Sequence, residues 1–179
     1  MSTVEASQPI RGALAGATGT WTLEPATTTI TFQTKAMWGL AKVKGSFKAL
    51  EGSGTLTGTG AVQGRLAVDA SSVATGIKKR DAHLRSADFF ESDRYPTVVF
   101  TATGATPVGD DHVRLSGTLT VHGQARPIEI DTTVVRTGAD SITLKSQFEL
   151  DRQEWGMAHQ NMGAGVLNKM AVSAHFIRS

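Results

Sequence analysis

The densest group of potentially reactive side chains lies in residues 75–100, TGIKKRDAHLRSADFFESDRYPTVVF. Six charged or titratable side chains stand there within eight positions: Lys78, Lys79, Arg80, Asp81, His83 and Arg85. Arginine can bind a phosphate through paired hydrogen bonds, so this group could bind a phosphate or another polar group. The alternative is a solvated helix face, on which Asp81 and Arg85 have the i,i+4 spacing of a structural ion pair.

The five histidines form no catalytic or metal-binding pattern in the sequence. None of them is spaced as His-x-x-x-His, and the absence of cysteine excludes disulfides, thiol chemistry and zinc–thiolate sites. The chain also has neither a glycine-rich phosphate loop with its lysine nor a serine elbow. Asp151, Arg152 and His159 could form an acid–base group, but nothing in their spacing fixes a geometry. We therefore predict no catalytic residue, no metal site, no cofactor and no enzymatic activity.

Two irregular segments carry large apolar side chains. Met37 and Trp38 stand between two strand-like stretches, and residues 151–165 contain Trp155, Met157 and Met162. Adaptable groups of this kind suit the lining of a portal. They could equally close the end of a barrel as ordinary core, and the sequence leaves both alternatives open.

Around these segments the chain alternates between apolar and polar residues from Trp21 onward. A period of two with short turns predicts about eight antiparallel strands. Gly52-Ser53-Gly54 is predicted as one of the turns, and Leu56, Val62, Leu66 and Val68 as the inward face of the strand that follows it. We predict an all-β, eight-stranded antiparallel barrel, because closure leaves no strand edge exposed. A two-sheet sandwich is the alternative.

The segment at about residues 77–93 interrupts this alternation and is predicted to be a short helical insert. Leu84, Phe89 and Phe90 give it an apolar underside, which suits a position across the sheet or over the mouth of the barrel. The alternative is a solvated connector.

Small residues are frequent on the inward faces of the predicted strands. An eight-stranded barrel is just wide enough for its own side chains or for one small ligand, so many small inward residues indicate a cavity unless they serve bends and strand crowding. If a cavity exists, replacing Gly117 by phenylalanine should fill it without unfolding the protein. The small residues concerned are Gly45, Gly58, Gly60, Gly64, Ala70, Ala102, Gly117, Ser146 and Ala174.

Composition restricts the remaining possibilities. Lys and Arg number 18 against 16 Asp and Glu, and aromatic residues make up only 6%, which argues against a nucleic-acid surface. Residues 1–20 lack the continuous apolar region of a signal peptide or a membrane span. We therefore expect a flexible arm over residues 1–20, one domain over residues 21–179 and a cytoplasmic location.

Several short motifs together resemble the YceI-like family of lipid-binding proteins. The most specific is Arg80-Asp81-x-His83-Leu84 followed by Asp88-Phe89-Phe90 and Tyr95-Pro96. Weaker matches are Trp21-Thr-Leu-Glu-Pro25, Val43-x-Gly45-Ser-Phe47, Val73-Ala-Thr75-Gly76, Gly117-x-Leu119-Thr-Val121-x-Gly123 and Asp151-Arg152-x-x-x-Gly156. The resemblance extends over roughly residues 21–176.

The resemblance implies a lipocalin-like barrel that binds a long isoprenoid, a quinone or a fatty amphiphile without catalysis, and a homodimer. Many relatives are exported to the periplasm, whereas no export signal is recognised in this sequence. The alternatives are an enzyme acting on a lipid-like substrate and an interaction scaffold with a filled barrel.

The predicted site has two parts. A head-group or insert-anchoring role is assigned to Arg80, Asp81, His83, Arg85 and Arg152. The predicted lining of the interior and portal is Phe32, Trp38, Phe47, Val62, Leu66, Val68, Phe100, Leu119, Phe148, Trp155, Met157, Met170 and Phe176.

Overall fold

The computed structural model describes residues 12–159 and 164–179. In this part of the chain, β-strands account for most residues and a single α-helix interrupts them between the fourth and fifth strands. The elements are β1 (Gly19–Leu23), β2 (Thr29–Ala36), β3 (Ala41–Leu56), β4 (Val62–Ala74), α1 (Lys78–Arg85), β5 (Thr97–Pro107), β6 (His112–Val121), β7 (Gln124–Gly138), β8 (Ser141–Asp151) and β9 (Leu167–Arg178).

All strand pairs are antiparallel, and the sheet closes on itself through β3 and β4. Strands β1 and β2 share one position in this barrel, because both lie between β3 and β9. A short 3-10 turn at Pro25–Thr27 separates these two pieces. The barrel therefore has eight strand positions, and the predicted eight-stranded antiparallel barrel is confirmed. Closure leaves no long unpaired strand edge in the described part of the chain.

The predicted turn at Gly52-Ser53-Gly54 is wrong. These residues lie inside β3, and the chain reverses instead at residues 57–61. A Cβ atom on Gly52 would lie 3.0 Å from the Cβ of Leu23 and 3.1 Å from the carbonyl oxygen of Arg65. The glycine is therefore required by the close approach of β1 and β4, not by a turn.

The predicted helical insert is confirmed, although only eight of its residues are helical. Helix α1 follows β4, and hydrogen-bonded turns between Ser86 and Tyr95 lead back to β5. No helix in residues 12–159 and 164–179 combines the length and apolarity that crossing a bilayer requires.

One end of the barrel is closed by the chain that precedes β1. Ala13 and Ala17 are buried, and the indole N–H of Trp21 donates a 2.8 Å hydrogen bond to the carbonyl oxygen of Ala17. The structure therefore describes only the second part of the arm that was predicted over residues 1–20. Residues 12–20 pack on the barrel, and residues 1–11 lie outside the described residues.

Gly117 serves strand crowding and does not face open space, contrary to the proposed use of this position to fill a cavity. A Cβ atom there would lie 2.1 Å from the carbonyl oxygen of Thr101 on the neighbouring strand. The backbone of β5 would have to move to admit any side chain. Phenylalanine at this position would therefore test the integrity of the barrel and not its capacity.

We expect Gly117→Ala to lower the free energy of unfolding by about 1–3 kcal/mol, the usual cost of overpacking. Gly104→Ala is the matched control, because a Cβ atom there meets nothing within 4 Å. It should leave stability unchanged or slightly raise it. Urea unfolding of the two variants measures the difference, and equal stabilities would show that the β5–β6 contact does not depend on glycine.

Candidate functional site: the barrel cavity

The interior of the barrel contains a cavity of about 490 Å³. Its wall between the two ends is built from aliphatic and aromatic side chains of the strands. Every predicted lining residue except Trp38 contacts this space. These residues are Phe32, Phe47, Val62, Leu66, Val68, Phe100, Leu119, Phe148, Trp155, Met157, Met170 and Phe176.

The cavity is large enough for a long apolar chain. An apolar cavity of roughly 150 Å³ holds benzene, with its six carbon atoms, so this volume corresponds to on the order of twenty carbon atoms. Small-molecule sites in proteins span about 300–1,000 Å³. The space is therefore of ligand size and not a packing defect.

The small inward residues divide between the two predicted explanations. Gly64, Ala102, Ser146 and Ala174 line the cavity. At Gly45, by contrast, the Phe32 ring fills the space that a side chain would take. Gly58 and Gly60 belong to the β3–β4 turn, Ala70 is buried outside the lining, and Gly117 faces backbone. The cavity thus depends on part of the set, and sequence alone could not separate that part.

The insert covers the other end of the barrel with its apolar underside. Leu84, Phe89 and Phe90 all line the cavity. The Phe90 ring meets Phe47 edge to face at 5.3 Å between centroids, and Trp155 closes the wall beside it with an indole hydrogen bond of 3.0 Å to the carbonyl oxygen of Leu119. Leu84, Phe89 and Phe90 were absent from the predicted site, although their apolar spacing indicated a buried face.

Phe89 is the best-anchored residue of the insert. It is buried, and the rings of His83 and His159 meet it edge to face at 5.2 and 5.3 Å between centroids. The guanidinium of Arg152 lies 5.2 Å from the ring centroid, within the range of a cation–π contact. These three partners hold the insert over the cavity.

Arg152 fastens the segment after β8 and has little capacity left for a head group. Its side chain is buried and donates to the carbonyl oxygens of Gly165 (2.9 Å), Ala164 (3.3 Å) and Met157. Burial lowers the pKa of Arg152, while the nearby charge of Asp151 raises it. Of the two predicted roles, the geometry matches anchoring.

Arg80 and Asp81 fix the start of the insert through a shared partner, Thr75. The Asp81 carboxylate accepts from the Thr75 backbone N–H at 2.9 Å, and Arg80 donates to the Thr75 hydroxyl at 2.8 Å and to its carbonyl oxygen at 3.0 Å. The i,i+4 pair of Asp81 with Arg85 is not among the ion pairs of the described residues, so that prediction is wrong. Arg80 also lines the cavity, whereas Asp81 and Arg85 do not.

His83 lies on the cavity wall and also belongs to a polar cluster. Its Nε2 atom is 2.8 Å from the Asp88 Oδ2 atom, which lies 3.7 Å from Nε2 of His159. Ligand atoms of these three residues fall within 4.8 Å of one another. The sequence prediction of no metal site missed this group, because folding joins His159 to residues some seventy positions earlier. The rings of both histidines also contact Phe89, and we therefore assign the cluster to the support of that residue.

Trp38 is the predicted interior residue that the fold places outside. It is 81% exposed at the turn between β2 and β3, with Met37 half exposed beside it. The backbone explains this position, because Met37 and Trp38 both adopt left-handed φ angles, 50° and 54°. Met162, the third apolar group of the predicted portal, lies outside the described residues.

The family model of the YceI-like domain matches residues 21–177. The chain belongs to the YceI-like family. Protein YceI of Escherichia coli O17:K52:H18 is 33% identical over 104 residues, which cover 57% of this chain and 54% of that protein. A UPF0312 protein of Vibrio cholerae is 31% identical over a stretch of the same length, with 55% of that protein covered. The chain thus matches about half the length of these relatives.

Solved structures show the same YceI-like fold at low sequence identity. A polyisoprenoid-binding domain from Saccharophagus degradans, described as implicated in plant cell wall breakdown, superposes with a TM-score of 0.74 at 19% identity, covering 89% of this chain and 98% of that one. BcnA of Burkholderia cenocepacia gives 0.71 at 17% identity, with 88% and 99% covered. These likenesses establish the fold.

In this YceI-like domain we expect Arg152→Met to lower the free energy of unfolding by about 2–3 kcal/mol, because the buried carbonyl oxygens lose their donor. Arg114→Met is the control, since Arg114 forms an exposed ion pair with Asp131 and such pairs contribute about 1 kcal/mol or less. Thermal unfolding measures both. Equal losses would contradict the anchoring role of Arg152.

The pKa of Asp88 is lowered, chiefly by its hydrogen bond to His83, against a smaller opposing effect of burial. The stabilisation linked to Asp88 is therefore present above the pKa of the unfolded chain and lost as pH falls through the lower folded value. We expect NMR titration of the Asp88 carboxyl to give a midpoint below the ordinary value of about 3.9. In His83→Gln the midpoint should rise toward that value. An unchanged midpoint would show that His83 is not the cause.

Proposed function

We propose that this YceI-like domain binds one long-chain isoprenoid or similar amphiphilic lipid in its barrel and does so without catalysis. The observation that carries the proposal is the apolar cavity of about 490 Å³ that the strands enclose. Water forms few favourable contacts with such a wall. An alkyl chain that enters the cavity removes its own apolar surface and that of the wall from water, which is favourable. A polyprenol, a quinone tail and a fatty chain share this chemistry.

The cost of association sets a lower limit on the length of a useful ligand, and the size of the cavity sets an upper limit. Burial of one five-carbon isoprene unit contributes about 3–4 kcal/mol gross, at roughly 0.8 kcal/mol for each methylene. Association itself costs about 4–15 kcal/mol. Several units are thus needed before binding is strong, and the cavity has room for about three or four of them. Affinity should rise with chain length until this room is filled.

The proposed place of the head group is the rim beside the insert. A polar or charged head could not be buried unpaired, and Arg80 and His83 are the polar lining residues that α1 brings to this end. Arg80 uses two N–H groups on Thr75 and has others for a phosphate, hydroxyl or carbonyl oxygen. Arg152 takes no part, because its donors hold the backbone.

The similarity in fold to a polyisoprenoid-binding domain supports this proposal. The enzyme alternative rests on Asp151, Arg152 and His159 as an acid–base group, and the contacts of these residues give that group no support. Arg152 is engaged with carbonyl oxygens and His159 with Phe89. A scaffold with a filled barrel has no use for the cavity. A homodimer and a cytoplasmic location stay predictions.

The experiment combines lipid extraction with a matched pair of variants. Ala102 lines the cavity, and its neighbour Thr101 points to the outside of the same strand. Ala102→Phe should occupy the room of about one isoprene unit and weaken polyprenol binding roughly tenfold or more. Thr101→Phe adds the same ring outside and should leave binding unchanged. Radiolabelled polyprenol uptake, with mass spectrometry of organic extracts, measures both.

Two results would contradict the proposal. One is the repeated absence of long-chain lipid from extracts together with no uptake of added polyprenol or quinone. The other is equal uptake by both variants while thermal unfolding shows that each is folded. Turnover of the added lipid would instead support the enzyme alternative.

A further inference from the structure

The turn between β2 and β3 exposes a cluster of large apolar side chains to water. Trp38 and Leu40 are 81% and 85% exposed, and Met37 is 50% exposed. Trp21 and Trp155, the other two of the three tryptophans, are buried. We call Met37, Trp38 and Leu40 the hairpin tip. Exposed apolar side chains grouped in this way are a candidate interaction site.

The backbone holds the hairpin tip in this exposed position. Met37, Trp38 and Gly39 have φ angles of 50°, 54° and 91°. Non-glycine residues rarely adopt this left-handed conformation, and where they do the surrounding structure maintains it. The indole is thus directed away from the barrel, although the apolar interior lies a few residues away.

A row of lysines lies directly behind the hairpin tip on the outer face of the barrel. Lys35 of β2 stands opposite Lys42 of β3, and Gln33 stands between Lys44 of β3 and Lys169 of β9. Like charges placed directly opposite each other destabilise a sheet. No ion pair involves any of these four lysines within the described residues. Glu149 of β8 stands opposite Lys169, but the strand pairings of the described chain place no carboxylate opposite Lys35, Lys42 or Lys44. An anionic partner would balance the charges of this lysine face.

The hairpin also forms part of the cavity rim. Lys35, Ala36 and Met37 line the cavity next to the exposed tip. A lipid that leaves a membrane for the cavity would therefore cross a short distance if the tip lay in the membrane surface. We propose that the hairpin tip and the lysine face dock on an anionic phospholipid membrane and so place the cavity rim against it. This inference rests on the proposed lipid-binding function.

The chemistry of the surface favours a membrane over a second copy of the chain. Tryptophan prefers the boundary between headgroups and acyl chains, and lysines beside it meet anionic headgroups. A symmetric dimer through the same surface would bring two lysine faces together. The repulsion would oppose association, whereas an anionic bilayer would neutralise the lysine face.

The test is binding of the full chain to phosphatidylcholine vesicles with and without about one-third phosphatidylglycerol, the anionic component. Wild type should bind the anionic vesicles, less so as salt rises. Trp38 fluorescence should shift to the blue, because Trp38 is the exposed indole. Lys42→Gln/Lys44→Gln should lower the vesicle binding constant about 30-fold, since each lysine near an anionic surface contributes about fivefold. Trp38→Ser/Leu40→Ser should abolish the blue shift and most of the binding.

The controls use matched residues elsewhere on the barrel. Arg114→Gln/Lys145→Gln removes two exposed positive charges of β6 and β8, away from the lysine face, and Val108→Ser removes an exposed apolar group from the β5–β6 turn, beside the 3-10 turn at Gly12–Leu14. Both should bind vesicles as wild type does. Polyprenol uptake from detergent should be unchanged in all these variants, because none of the replaced residues lines the cavity.

Three outcomes would overturn the inference. They are equal binding to neutral and anionic vesicles, equal losses in the control variants, and a dimer in analytical ultracentrifugation that Trp38→Ser/Leu40→Ser abolishes while vesicles are not bound. If wild type takes up no polyprenol from detergent, the proposed function fails instead, whatever the vesicles show.

Discussion

The structure depends on a mismatch between the volume that eight closed strands enclose and the volume that their inward side chains fill. Closure through β3 and β4 sets the diameter of the barrel. Small groups at Gly64, Ala102 and Ala174 then leave part of the interior empty. Protein interiors normally pack to a density of about 0.75. A persistent apolar void is therefore unfavourable unless a ligand fills it, which connects the fold to the proposed function.

The two ends of the barrel meet this constraint in different ways. At one end, Ala17, Trp21 and the paired strands β1 and β9 form an ordinary core. At the other end, a separate insert covers the space with Phe89 and Phe90, and hydrogen bonds from Arg80 and Asp81 to Thr75 hold this insert in place. The insert is held by hydrogen bonds to Thr75 and by the contacts of Phe89, and none of these belongs to the strand pairing of the sheet. Movement of the insert would therefore leave the sheet intact. The insert end is thus where the proposed lipid would enter.

Much of the fold could be predicted from the sequence, because the alternation of apolar and polar residues is a local pattern and a period of two residues indicates a β-strand. The insert was equally visible as the stretch where that period stops. The role of each glycine could not be predicted from the sequence. Gly52 and Gly117 allow neighbouring strands to approach closely, and they form neither a turn nor part of a cavity. This role depends on strands that are distant in sequence. The support of Phe89 by His83, His159 and Arg152 joins distant positions, so no spacing rule could have found it. Trp38 was misplaced because two left-handed residues turn it outward.

The most direct test of the central claim is a crystal structure of the protein grown with a terminally brominated long-chain alcohol. We expect a bromine anomalous peak inside the barrel, among Leu66, Val68 and Phe100, with continuous density leading to the rim beside Arg80. A barrel whose interior is filled by its own side chains, with bromine bound only on the outer surface, would contradict it.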